Sequence, residues 1–333
     1  MDQRPLGTTG LQVSALGYGS GAIGGLFTKG DHAEQRRAIA RAMEAGITYY
    51  DTAPSYGDGR SEENLGRVLR ELDAWGRVIV GTKVRLASDD LGDPGAAIQR
   101  SIEASLRRLG HDSVDLLQLH NPIVRSGGAG GTQTASGGSV PDDLVRGAIA
   151  EGLRQVQARG LARHIGFTGL GETEALHDIA TSGTFATMQS YFNAVNPSAG
   201  YAGASGAEQD FGGLIDAAAR ANVGVIAIRV LAAGALAAQP ERHANAGDPG
   251  SPLAGGAEYT RDLNRARDLE AFAAEFELEG TLEMAVRFAL AKPGIATVLV
   301  GYSDLSQLED AIRWTERGPL PDEIVGRIVD AAR

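Results

Sequence analysis

Four side chains in this sequence have types and spacing that could do proton chemistry: Asp51, Tyr56, Lys83 and His120. Asp51 closes the run Ile47-Thr48-Tyr49-Tyr50 and opens the stretch Asp51-Thr52-Ala53-Pro54-Ser55-Tyr56-Gly57. Lys83 ends Gly81-Thr82-Lys83, and His120 ends Leu117-Gln118-Leu119-His120. A tyrosine titrates near about 10 and is a poor acid at neutral pH. A nearby ammonium favours the phenolate and lowers that value. A buried lysine needs a counter-charge to stay protonated, and Asp51 can supply it. His120 can hydrogen-bond a carbonyl oxygen and fix its orientation. Tyr56 could then protonate a developing alkoxide as a general acid. No side chain supplies a hydride, so this chemistry implies a nicotinamide cofactor.

Each residue taken alone has an ordinary explanation. An Asp at a strand end is often a turn residue. A lone Lys is usually a solvated cation. A His beside an apolar strand is usually a satisfied packing residue, and Tyr56 could simply pack under its loop. The joint placement of all four, each at or just past the end of an apolar run, outweighs four separate coincidences.

The elements that must position them alternate along the chain. Residues 4–13 read as two short strands around Gly7-Thr8-Thr9-Gly10, a hairpin signal. Strands are expected at 15–19, 47–50, 78–82, 114–119, 164–168, 185–189, 223–228 and 297–300. Helices are expected at 31–44, 61–74, 93–109, 141–158, 172–181, 208–221, 261–275, 282–291, 304–315 and 322–332. Asp31 with Glu34 makes a capping box, and Asp93-Pro94 an N-cap with proline at the first helical position. Residues 121–139 and 231–259 are rich in small residues and read as long loops. Eight strands alternating with helices, without a composition break, predict one (β/α)8 TIM barrel as a single domain over 1–333. A β-hairpin covers its bottom and extra helices follow at the C-terminus. In such a barrel function sits where strands end, so the four residues can share one cavity.

Composition narrows the function classes. A chain of 333 residues suits one large α/β domain or two medium ones. A net charge of −11 argues against general affinity for nucleic acid or anionic membrane. Without cysteine there is no disulfide, thiolate nucleophile or cysteine-bound metal. The six histidines show no close metal-ligand spacing, so no metal is expected. The N-terminus does not read as a signal peptide, and no run of about 18 apolar residues occurs. A cytoplasmic protein is the simplest expectation. Oligomeric state has no signature in the sequence.

The stretch 50–57 with Ser61-Glu62, the block Gly81-Thr82-Lys83 and the block Leu117-Gln118-Leu119-His120 together resemble the aldo-keto reductase family, over nearly the whole chain. The resemblance implies the barrel and NAD(P)(H)-dependent interconversion of a carbonyl (aldehyde, ketone or sugar) and an alcohol. It makes Asp51, Tyr56, Lys83 and His120 the catalytic set. It also implies cofactor contacts, with Asp51 beside them. Thr168 and Gln189 match positions that bind the nicotinamide carboxamide, although Gly169 stands where the family often has Asn. Ile228 replaces the usual stacking aromatic, with Arg229 next to it as an anion contact. Leu231 would lie near the pyrophosphate, and Gly301, Ser303, Gln307 and Asp310 near the adenosine. The family default is NADP(H). Gln307 stands where an arginine often binds the 2′-phosphate, and Gln cannot pair bidentately with phosphate, which keeps NAD(H) open. Phe27 is expected to wall the substrate pocket with Tyr56 and His120.

Three rival readings remain at this level. Gly19-Ser20-Gly21-Ala22-Ile23-Gly24 matches G-x-G-x-x-G after a strand, with Asp51 as a ribose-binding acid, as in a Rossmann dehydrogenase. Against it, residues 26–30 intervene before the helix cap at Asp31. A Schiff-base aldolase on Lys83 would need that amine free of a tight carboxylate partner. A non-catalytic nicotinamide-binding regulatory subunit would keep the same fold.

Overall fold

The computed structural model describes residues 1–127, 138–205, 208–250 and 258–333. Strands β1 (Gln3–Pro5) and β2 (Gln12–Ser14) pair antiparallel as the expected hairpin. Ten further strands follow: β3 (Leu16–Gly19), β4 (Tyr49–Asp51), β5 (Ile79–Val84), β6 (Val114–Leu119), β7 (Ile123–Val124), β8 (Val140–Pro141), β9 (Ala162–Gly169), β10 (Thr187–Tyr191), β11 (Gly224–Ile228) and β12 (Ile295–Gly301). β7 and β8 form a small parallel pair of their own. The other eight close into a barrel, each parallel to its neighbours and in chain order. The strands are apolar on both faces because both are covered. Inside the barrel floor, Leu6 and Val13 of the hairpin cluster with Tyr49, Leu116, Ile226 and Ala296. The outer faces are covered by helices.

Those helices are α1 (Leu26–Lys29), α2 (His32–Glu44), α3 (Arg60–Glu71), α4 (Pro94–Leu109), α5 (Asp142–Leu144), α6 (Ala150–Ala158), α7 (Thr173–Ala180), α8 (Leu214–Arg220), α9 (Glu258–Glu275), α10 (Thr281–Ala291), α11 (Leu305–Glu316) and α12 (Asp322–Ala331). Asp31 caps α2 by accepting from the Glu34 N–H at 2.9 Å. Only half of the expected capping box forms, because the Glu34 carboxylate accepts from the Leu305 N–H instead. Asp93 caps α4 through the Ala96 N–H.

Two expected helices are shorter or broken. The stretch 141–158 passes through a π turn at Val145–Ile149, where Gly147 leaves helical geometry at φ −94 and ψ −108. The stretch 208–221 becomes helical only at Leu214. Gly212 and Gly213 hold φ 59 and 73 ahead of it, a left-handed turn that ordinary side chains resist. The chain before them is satisfied by side chains rather than by a helix. Ser198 Oγ accepts from the Phe211 N–H, and the Asn196 amide donates to the Gln209 carbonyl. Of the long loop at 231–259, Ala232–Ala237 is a 3-10 turn. Residues 128–137 and 251–257 of the two expected loops lie outside the described residues. Among the described residues, no helix is long and apolar enough to cross a membrane.

The closed parallel barrel overturns the Rossmann reading, which needs an open sheet. The third glycine of that motif serves packing: a Cβ on Gly24 would lie 2.5 Å from the Tyr302 nitrogen. The first and last βα loops can therefore touch only if residue 24 has no side chain.

Candidate active site

Barrel register brings the four residues to one rim. Asp51 pairs with Gly81, and Lys83, one pleat period further along β5, pairs with Gln118 of β6. His120 follows β6 directly, and its N–H donates to the Val84 carbonyl at 2.8 Å. Tyr56 sits on the loop after β4. The first turn of α3 ties that loop down. The Ser61 N–H donates to the Tyr56 carbonyl, while Ser61 Oγ donates to the Ser20 carbonyl and contacts Thr52 Oγ1, each at 2.8 Å. Next to it Glu62, fully buried, accepts from Thr82 Oγ1 and from Arg108 Nε, both at 2.6 Å.

The centre is a buried ion pair with every polar atom engaged. Asp51 is 2% exposed and Lys83 1%. Asp51 Oδ1 accepts from Lys83 Nζ. Its Oδ2 accepts from the Tyr49 hydroxyl at 2.9 Å and from Gln189 Nε2 at 2.7 Å. Lys83 Nζ also donates to the Thr52 carbonyl at 2.9 Å and lies 4.8 Å from the centre of the Tyr56 ring. Burial alone would lower the Lys83 pKa. The Asp51 charge, then Tyr56, and hydrogen bonds to both outweigh it and leave the pKa above its ordinary value. Lys83 is therefore an ammonium at neutral pH.

His120 meets Tyr56 edge to face, with ring centres 5.9 Å apart and planes at 88°. Burial, then the charges of Lys83 and Arg85, push its pKa well below 6.5. The imidazole is accordingly neutral, and its Nδ1 is buried without a hydrogen-bond partner.

A cavity of about 400 Å³ opens above the pair, lined by Asp51, Tyr56 and His120 and reaching residues of α11. All the expected cofactor positions lie on its wall: Thr168, Gln189, Ile228, Arg229, Leu231, Gly301, Ser303, Gln307 and Asp310, with Asp51. Several are already engaged. Gln189 gives its amide N–H to Asp51. The Ser303 N–H donates to Gln307 Oε1 at 2.8 Å, and Ser303 Oγ to the Gly24 carbonyl. Asp310 pairs with Arg313 at 2.8 Å. Arg229 holds the Pro249 carbonyl from a backbone at φ 58. Thr168 Oγ1, by contrast, is buried on the cavity wall without a partner. Such an orphan fits a polar ligand group, because a buried hydroxyl is costly unless bonded. A nicotinamide carboxamide is a group of that kind, so the residues present fit the cofactor. Among the described residues, no cluster of metal-ligating side chains occurs.

Phe27 is not on the cavity wall. It is 1% exposed, and α1 turns it inward, edge to face with Tyr18 at 5.7 Å. A phenyl ring near a buried tyrosine gains more from the core than from a loop surface. Sequence reasoning missed Tyr49, which bonds Asp51, and Arg242, which lines the cavity and donates to the Ala233 and Gly247 carbonyls. Tyr49 had a signal. It lies two residues before Asp51 on a strand, so it points to the same face.

Comparison with known proteins agrees with this architecture. The sequence model of the Aldo/keto reductase family matches residues 15–333. L-galactose dehydrogenase from Arabidopsis thaliana is 29% identical over 318 residues, which cover 94% of this chain and 87% of that one. D-threo-aldose 1-dehydrogenase from a Pseudomonas species is 32% identical over 180 residues, 47% of this chain and 50% of that one. Among solved structures, the holo form of aldo-keto reductase AKR11C1 from Bacillus halodurans superposes with a TM-score of 0.72, covering 100% of this chain and 97% of that one. At 23% identity, that superposition speaks for the fold alone. With a family match spanning almost its whole length, the chain belongs to the aldo/keto reductase family, oxidoreductases that work with nicotinamide cofactors at the carbonyl–alcohol level.

Proposed function

We propose that the chain interconverts a carbonyl and an alcohol with Tyr56 as the proton donor in reduction and the acceptor in oxidation. The observation that carries this reading is the buried Lys83 ammonium, held by Asp51 and the Thr52 carbonyl and 4.8 Å from the Tyr56 ring centre. A bound nicotinamide dinucleotide supplies or accepts the hydride. Thr168 and Gln189 would hold its carboxamide, Ile228 would pack on the nicotinamide ring, Leu231 would lie near the pyrophosphate with Arg229 as an anion contact, and Gly301, Ser303, Gln307 and Asp310 would hold its adenosine end. Lys83 stabilises the phenolate left when the Tyr56 proton departs. Asp51 fixes that ammonium in a buried position. His120, neutral, hydrogen-bonds the carbonyl oxygen and orients it beside the Tyr56 hydroxyl. A Schiff-base role for Lys83 is disfavoured, since a protonated, carboxylate-bound amine lacks a nucleophilic lone pair.

The α11 wall keeps NAD(H) open beside the family default of NADP(H). Gln307 is neutral and its side-chain carbonyl is taken by the Ser303 N–H; of the carboxylates on this wall, Asp304 accepts from the Gln307 N–H and Asp310 pairs with Arg313. A carboxylate accepts from a ribose hydroxyl and repels a 2′-phosphate. The relatives that act on L-galactose and D-threo-aldoses put aldoses first among substrates to try. The test is turnover on a panel of aldoses, aldehydes and ketones with NADH and NADPH, in both directions. Turnover with any of them supports the reading. Tight dinucleotide binding without turnover across the panel would favour the regulatory alternative.

A further inference from the structure

We propose that Tyr49 is a positioning residue of this site: its buried hydroxyl fixes the carboxylate of Asp51, and through it the direction from which Lys83 meets Tyr56. The proposal rests on the roles given above to Tyr56 and Lys83. Tyr49 is fully buried in the barrel floor, on the same face of β4 as Asp51. Its hydroxyl donates to Asp51 Oδ2 at 2.9 Å, and the Gln118 amide donates to that hydroxyl at 3.4 Å. Gln189 bonds the same Oδ2 at 2.7 Å, so Oδ1 is left for Lys83. The groups facing the carboxylate are thus one cation and two neutral donors, with Tyr56 and His120 beyond the cation.

The neighbouring strands are cut away for this ring. A Cβ on Gly17 of β3 would lie 3.1 Å from Tyr49 Cδ1, and one on Gly81 of β5 would lie 2.7 Å from the Tyr49 hydroxyl. A residue that only filled the barrel floor would do so as well without a hydroxyl, because a buried hydroxyl costs free energy unless bonded. Here its acceptor is the carboxylate of the ion pair. Burial first, and then the Asp51 charge, hold the Tyr49 pKa well above 10, so the phenol remains a donor throughout the working range. Without that donor, the charge of Asp51 falls more fully on Lys83. The ammonium is then better neutralised and stabilises the Tyr56 phenolate less.

The test is Tyr49→Phe, an isosteric change, with Gly81→Ala as a second variant that displaces the hydroxyl without removing it. For Tyr49→Phe, kcat for alcohol oxidation should fall about ten-fold, in line with losing one hydrogen bond to a charged group. The rising limb of its oxidation pH profile should move upward by roughly one unit. Dinucleotide affinity, read by fluorescence titration, should stay within about two-fold, since Tyr49 lies beneath the cavity wall. Gly81→Ala should shift the profile in the same direction, and carries the test if Tyr49→Phe does not fold. Wild-type kcat with an unmoved profile in either folded variant overturns the proposal. So does a loss of kcat with an unmoved profile, which would mark Tyr49 as merely structural. Tyr56→Phe separates the two levels. If that variant turns over normally, the underlying mechanism fails; if it is inactive while Tyr49→Phe behaves as wild type, only the role of Tyr49 fails.

Discussion

Removing the charge of Lys83 probes the ion pair from inside. Lys83→Met keeps the length of the side chain and leaves a carboxylate, 2% exposed, facing only Tyr49 at 2.9 Å and Gln189 at 2.7 Å. Breaking a buried pair by deleting one partner typically costs about 3–5 kcal/mol. The two remaining donors place the loss toward the low end, about 3 kcal/mol, since each bond to a charged group retains part of its solvation. That is a large share of a typical folding free energy of about 5–15 kcal/mol. The stranded Asp51 should respond by binding a proton in the folded state at a pH where the unfolded chain does not. A folded state that holds more protons gains stability as pH falls. Urea unfolding followed by circular dichroism at pH 8 and pH 5 reads both effects. The deficit should be about 3 kcal/mol at pH 8 and clearly smaller at pH 5, and Asp51→Asn combined with Lys83→Met should recover more than half of it. A deficit below about 1 kcal/mol at pH 8, as for a surface pair, would refute the buried-pair reasoning. A double variant no more stable than the single one would do the same.

Other expected outcomes follow from the same geometry. His120 has a depressed pKa, so below about pH 6.5 the unfolded chain binds a proton that the folded one refuses, and stability falls with pH. Denaturation of the wild type should show an acid slope steeper than that of His120→Gln by up to about 1.4 kcal/mol per pH unit. Lys83 has a raised pKa, so its contribution is complete below about pH 10.5 and disappears as pH rises through the folded value; Tm should drop on that alkaline side less in Lys83→Met than in the wild type. Gln307→Arg adds a guanidinium at the α11 wall, and should tighten NADPH about ten-fold while leaving NADH nearly unchanged, as read by fluorescence titration.

The barrel and the rim were legible because their signals are local and repeated. Each apolar run followed by a helical pattern, such as 164–168 or 297–300, reports burial on both faces of a strand, and the alternation reports parallel order. Asp31 and Asp93 marked helix starts through a bond to a backbone three residues on, which sequence spacing reveals. Asp51, Lys83 and His120 were found because strand ends are where a barrel exposes polar groups. What escaped depends on distant partners. The stretch at 208–213 reads as helix until Asn196 and Ser198 are seen to satisfy its backbone from outside. Phe27 sits in a glycine-rich loop, yet Tyr18 from the preceding strand offers it a buried ring to pack on. The G-x-G-x-x-G pattern looked like a phosphate cradle because nothing local tells a glycine that meets a ligand from one that meets Tyr302. Tyr49 was passed over in an apolar run, although its place two residues before Asp51 puts it on the same strand face, where it bonds Asp51 and Gln118.

The central claim is that Tyr56 moves the proton over a charged lysine, and Tyr56→Phe tests it most directly. The variant keeps the ring beside Lys83 and removes only the hydroxyl, so dinucleotide affinity by fluorescence titration should stay within about two-fold. Turnover with the best substrate of the panel should fall by at least about 10³-fold, within the range that loss of a general acid and its stabilised anion can produce. Turnover within about ten-fold of wild type, with binding intact, would contradict the account.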